Sequence, residues 1–125
     1  MTAVYDAGAF IAAERGDRAM WVRHKAALLA RQPPVTSAAV IGQVWRGQPR
    51  QARLAAFAAS VQPVSLTEPV ARAAGVLLAR AGTADVIDAA VLLAAADGDV
   101  VYTSDHDDLA RLASAANRRV EIVPV

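Results

Sequence analysis

Short apolar runs alternate with longer helix-patterned stretches along the whole chain, and this alternation constrains the fold more than any other feature. Ala3-Val4-Tyr5 is the first such run and ends at Asp6. Residues 7–15 read as a helix that Gly16 stops. A second helix starts near Asp17 and runs to Arg31, with Met20, Trp21, Ala27 and Leu28 as its apolar face, until Pro33-Pro34 breaks it. Val35-Thr36 reads as a short buried strand, and Ser37 caps a helix through Val40, Ile41, Val44 and Trp45 that Gly47 ends. Pro49 opens a further helix over residues 50–59. Residues 61–66 form a strand that contains Pro63, which assigns it to an edge.

Thr67 then starts a helix with Glu68 and Pro69 in its first turn, which continues to about Arg80 and stops at Gly82. Residues 85–96 are apolar except for Asp85 and Asp88, the pattern of a buried helix. Asp97-Gly98 is a turn, Val100-Val101-Tyr102-Thr103 a central strand, residues 105–115 a helix, and residues 120–123 the closing strand. Alternation of this kind predicts a single α/β domain over residues 1–125, with a mostly parallel central sheet of about four to five strands and helices on both faces. The chain has 125 residues, 55% of them hydrophobic, enough for one core. Aromatic residues are only 5%, so Ala, Val and Leu are expected to fill it.

The formal net charge of +1 selects no class of partner, although Lys25 is the sole lysine and the remaining cations are arginines, the better forks for phosphate. Without cysteine there is no disulfide framework and no thiolate ligand or nucleophile. Asp6 and Glu14 interrupt the first apolar stretch, which argues against a secretory signal. The longest apolar run, residues 89–96, is far below the ~18 residues of a membrane span. These features lead to the expectation of a cytoplasmic protein with no membrane association.

In open α/β sheets ligands bind outside the carboxyl ends of the strands. Asp6 ends the first strand, Asp105 follows the strand over residues 100–103, and Asp88 lies one turn into the helix before it. Asp6, Asp85 and Asp105 can equally serve as helix caps. Asp88 is harder to explain that way, because its neighbours are apolar and a buried carboxylate needs an arginine partner or a metal. Carboxylates that converge repel one another, and a divalent cation relieves the repulsion. Oxygen ligands without a His or Cys cluster suit Mg²⁺ or Mn²⁺. Arg46, Arg50 and Arg53 offer a grip for phosphates or simply a solvated face; His24, between Arg23 and Lys25, reads as a solvated helix residue and His106 as a surface loop position. Asp107 and Asp108 suit a helix N-terminus. No phosphate-binding glycine loop and no serine nucleophile elbow is present.

Four segments in order carry a family resemblance: Tyr5-Asp6-Ala7-Gly8-Ala9-Phe10-Ile11, the stretch from Thr36-Ser37 to Trp45-Arg46, Asp85-Val86-Ile87-Asp88-Ala89, and Thr103-Ser104-Asp105-His106-Asp107-Asp108-Leu109. Over nearly its whole length the chain resembles the PIN-domain ribonucleases, and within them the VapC-type toxins of bacterial toxin–antitoxin pairs. The resemblance implies a Mg²⁺- or Mn²⁺-dependent endoribonuclease whose metal-holding, catalytic acids are Asp6, Asp88 and Asp105. It also implies a small antitoxin protein as partner, RNA as substrate and a homodimer. Asp85 and Asp108 would support the site, and Arg46 would contact substrate. The chain departs from the pattern at Gln43, where the family has a glutamate; its amide oxygen keeps the shape but not the charge. Glu14 is a poor substitute, about 12 Å from Asp6 along a helix at ~1.5 Å per residue. Gln43 therefore keeps a second expectation open, a non-catalytic protein of the same fold that binds an antitoxin or RNA. A phospho-accepting receiver domain is disfavoured, since its late-strand lysine has no counterpart here.

Overall fold

In the computed structural model, which describes residues 1–125, every short apolar run becomes a strand. These are β1 (Ala3–Tyr5), β2 (Val35–Ser37), β3 (Gln62–Val64), β4 (Val100–Thr103) and β5 (Glu121–Pro124). The helices are α1 (Ala7–Glu14), α2 (Arg18–Leu29), α3 (Ala38–Val44), α4 (Ala52–Ala58), α5 (Glu68–Ala81), α6 (Val86–Leu93) and α7 (His106–Ala115). Caps fix most starts: the side chains of Asp17, Ser37, Thr67 and Asp85 each accept a backbone N–H of the helix they precede. Gly82, with φ of +71°, ends α5 in the left-handed conformation that glycine adopts without strain.

The five strands form one sheet in the order β3-β2-β1-β4-β5, parallel throughout. β1 sits at the centre, with Val4 opposite Val35 on one side and Val101 on the other. Pro63 lies in the edge strand β3, where its missing N–H costs no ladder bond. Helices α1, α2 and α4 pack on one another, and α5, α6 and α7 form a second group. With right-handed crossovers the chain leaves β1 towards β2 and β3 in one direction and returns to β4 and β5 in the other, so the groups cover opposite faces.

Several boundaries differ from the sequence expectation. α6 ends at Leu93 rather than Ala96, because the Arg118 guanidinium gathers the carbonyls of Leu92, Leu93 and Ala95 at 3.2, 3.3 and 2.7 Å. α3 ends before Gly47, since Trp45 already turns extended. The turn opened by Pro49 is a 3-10 turn over Pro49–Gln51 that leads into α4.

The core contains the expected Ala, Val and Leu, but the few aromatic residues concentrate in one place. Tyr5 stacks on Phe57 at 5.3 Å, and Phe10 and Trp21 meet Phe57 edge-on. His24 belongs to this cluster, 4.2 Å from the Phe57 ring, and is 2% exposed. The expectation of a solvated His24 is wrong. Its Nδ1 meets the Tyr5 hydroxyl at 3.1 Å and its Nε2 the Ser60 hydroxyl at 2.7 Å, and Ser60 in turn donates to the Phe57 carbonyl at 3.3 Å. One chain of donors satisfies all three groups: Tyr5 O–H to Nδ1, Nε2–H to Ser60, Ser60 O–H to Phe57. Burial pushes the His24 pKa down, which keeps the ring neutral. Leu28, placed on the buried face by sequence, is 38% exposed instead.

Candidate metal centre

The strand order reverses between β1 and β4, the topological switch point of this sheet. Chain leaving the two strands diverges there into α1 and α7. Asp6 is the first residue past β1, and its backbone N–H extends the ladder to the Tyr102 carbonyl at 3.0 Å. Its Oδ1 accepts the Ala7 N–H at 2.8 Å as the cap of α1. Its Oδ2 accepts the Thr103 hydroxyl at 2.6 Å. Thr103 ends β4 and is fully buried, and its oxygen also accepts the Asp105 N–H at 2.9 Å. One hydroxyl thus ties the two strand ends together.

Asp105 precedes α7 but its carboxylate makes no capping bond, contrary to the capping alternative, and stays free and exposed. The third acid arrives from α6. Asp85 caps that helix, its Oδ1 accepting the N–H groups of Ile87 and Asp88 at 2.9 and 3.2 Å. With Asp85 committed to the cap, Asp88 one turn later is 5% exposed and brings its carboxylate to Asp6 and Asp105. No cation pairs with it, because the ion pairs of the molecule are Arg72–Glu68 and His106–Asp107. The structural ion pair that sequence left open for Asp88 is absent.

Carboxylate oxygens of Asp6, Asp88 and Asp105 lie within 4.8 Å of one another. Their electrostatics follow from that crowding. Burial raises the Asp88 pKa to about 7, with the negative charges of Asp6, Asp85, Asp105 and Asp108 adding in the same direction. Burial also raises Asp6; the hydrogen bonds from Thr103 and Ala7 oppose the rise, and Asp105 and Asp85 add to it. Such a set fits a hard divalent cation: oxygen donors only, on three separate segments, close enough to share one ion, with one face open to water and ligand.

Close approach of the segments is built into the backbone. A Cβ on Gly8, in the first turn of α1, would lie 2.9 Å from the Ser104 backbone nitrogen and 3.1 Å from its Cβ. Gly8 and Thr103 both lie inside the segments that carry the resemblance, yet sequence reasoning gave neither a role. A glycine two residues past a strand-end acid, and a hydroxyl two residues before another, were the signals that could have found them.

Asp108 is half-buried in the first turn of α7, near enough for its charge to bear on Asp88. Gln43 is exposed on α3 and lines a hollow with Ile11, Glu14, Arg15, Arg46 and Arg50; none of the three clustered acids lines it. The Arg46 guanidinium turns back on its own helix end, donating to the Gly42 and Trp45 carbonyls at 3.3 and 2.8 Å. Glu14 Oε1 accepts the Gln51 amide at 2.9 Å and is held away from the acids. His106 is exposed beside Asp107. No helix is long and apolar enough to cross a membrane. Comparison of the chain with protein-family models, with curated proteins and with solved structures gave no match.

Proposed function

We propose that this chain is a metal-dependent endoribonuclease and, following its resemblance to the VapC-type PIN-domain toxins, the toxin of a type II toxin–antitoxin pair. The observation that carries this reading is the convergence of Asp6, Asp88 and Asp105 within 4.8 Å at the switch point of a parallel sheet. A bound Mg²⁺ or Mn²⁺ would supply the Lewis acid that makes water nucleophilic and stabilises the leaving oxygen of a phosphodiester.

The residues of the chain do the rest. Asp6 and Asp105, tied through Thr103, present two oxygens at a fixed separation. Asp88 keeps its proton to about pH 7, and a cation held between the acids would favour its ionised form. Gln43 lines the neighbouring hollow and carries no charge, so the site works with fewer negative ligands than the family pattern. By the same resemblance, a small antitoxin covers the acids and the protein acts as a homodimer; the lack of a secretory pattern in the sequence supports a cytoplasmic location.

The test is cleavage of single-stranded RNA in Mg²⁺ or Mn²⁺, read beside calorimetric uptake of the metal. Asp6→Ala and Asp88→Asn abolish cleavage and cut metal affinity by tenfold or more, while Gln43→Glu raises both. Calorimetry in buffers of different ionisation enthalpy registers proton release near pH 7, which Asp88→Asn removes. If wild type and Gln43→Glu cut nothing, and Asp6→Ala leaves metal uptake unchanged, the proposal fails. Gln43 favours the rival reading of a silent binding protein of this fold, for which the acids take up no metal.

A further inference from the structure

A further hollow, of about 440 Å³, lies between α2 and the end of α4 and shares no residue with the clustered acids. α2 lines one side of it with a stripe at helical spacing: Arg18, then Trp21 and Val22, then Lys25 and Leu28. Ala56 and Ser60 line the other. Val22 is 59% exposed, and Leu28, which sequence placed on the buried face, borders this hollow instead. The Trp21 indole is fixed by its Nε1–H, which donates to the Ala13 carbonyl at 3.0 Å. Neither α2 nor α4 contains an acid, and Arg18 and Lys25 belong to no ion pair.

Between these apolar walls the neutral polar group with a hydrogen to offer is the Ser60 hydroxyl. Its oxygen accepts the His24 Nε2–H at 2.7 Å, and its own hydrogen goes to the Phe57 carbonyl at 3.3 Å, long for a hydroxyl donor. His24 itself is buried, and its Nδ1 is taken by the Tyr5 hydroxyl, so it has no further donor. Ser60 thus combines an oxygen held in place with a hydrogen that a stronger acceptor can draw to itself. A carboxylate is such an acceptor.

We infer that this hollow binds a small carboxylic acid with a flat apolar body: the carboxylate takes the Ser60 hydroxyl in the field of the two cations, and the body lies against Trp21, Val22, Leu28 and Ala56. The volume is that of a small-molecule site rather than of an ion site. A nucleotide would bring its sugar hydroxyls against Val22 and Leu28, where nothing pairs with them. A wholly apolar ligand would leave Arg18 and Lys25 without a counter-charge. None of this rests on the proposed nuclease.

Titration of the full chain with phenylacetate in metal-free buffer, followed by calorimetry and by backbone amide NMR, is the test. Binding is expected with a Kd on the order of 1 mM or tighter, with shifts in the amide signals of α2 and Ser60. Phenylacetamide, which lacks the charge, and acetate, which lacks the body, are each expected to bind at least tenfold more weakly. Ala56→Leu, at an exposed position of α4, fills the hollow and should weaken binding at least tenfold while the thermal melt stays unchanged. The Arg18→Ala/Lys25→Ala double variant should weaken it roughly tenfold, and Arg72→Ala, on α5, not at all. The inference is overturned if phenylacetate does not bind, if phenylacetamide or inorganic phosphate binds as tightly, or if Ala56→Leu leaves binding intact. It is overturned too if a peptide with a free carboxyl-terminal phenylalanine binds tenfold more tightly than phenylacetate, which would make a chain end the occupant.

Discussion

Asp88 couples the proton to the fold. Its folded pKa of about 7 lies above the ordinary carboxylate value, so between roughly pH 4 and 7 the folded chain binds more protons than the unfolded chain. The stabilisation from the neutral acid is complete below the unfolded pKa and is lost as pH rises through about 7. Asp6 acts in the same direction. Asp88→Asn is therefore expected to leave stability unchanged below about pH 4 and to raise it by about 1–3 kcal/mol at pH 8 without divalent cation. Urea denaturation across that range checks it. Sequence identified this residue because a carboxylate in so apolar a helix has few inexpensive explanations. It misjudged His24 for the converse reason: Arg23 and Lys25 point to solvent, and nothing local reveals that Tyr5 and Ser60, distant in the chain, receive the imidazole.

At the scale of elements, the strand–helix alternation was legible because strand runs are short and rich in valine, and the first four lead within a few residues to a helix-capping residue such as Asp6, Ser37 or Thr67. Helix ends were less legible where a distant side chain decides them, as Arg118 decides the end of α6. The acids were read correctly as strand-end and helix-start residues, but how closely the elements approach is a tertiary property. Gly8 sets it for α1 and the loop after β4. Gly8→Ala forces a methyl against the Ser104 backbone, where little can yield, and should cost about 1–3 kcal/mol. It should also spread Asp6 from Asp105 and weaken Mn²⁺ binding more than Gly75→Ala, whose added carbon on α5 meets nothing. Thermal melts and metal titration of the two variants provide the comparison.

For the whole molecule, the strand order governs when the parts meet. The first strand of the chain takes its second neighbour only at residues 100–103, and no strand pairs with a hairpin partner. Every pairing must close a long loop, which makes for slow folding and leaves the central strand half-covered during synthesis. The three acids come together only after that last closure, so the cation has nothing to grip in the folding transition state. Mg²⁺ is thus expected to slow unfolding in stopped-flow traces while leaving the refolding rate as it was. A refolding rate that climbs with Mg²⁺ would mean that the first and fourth strands dock early, ahead of the rest of the sheet.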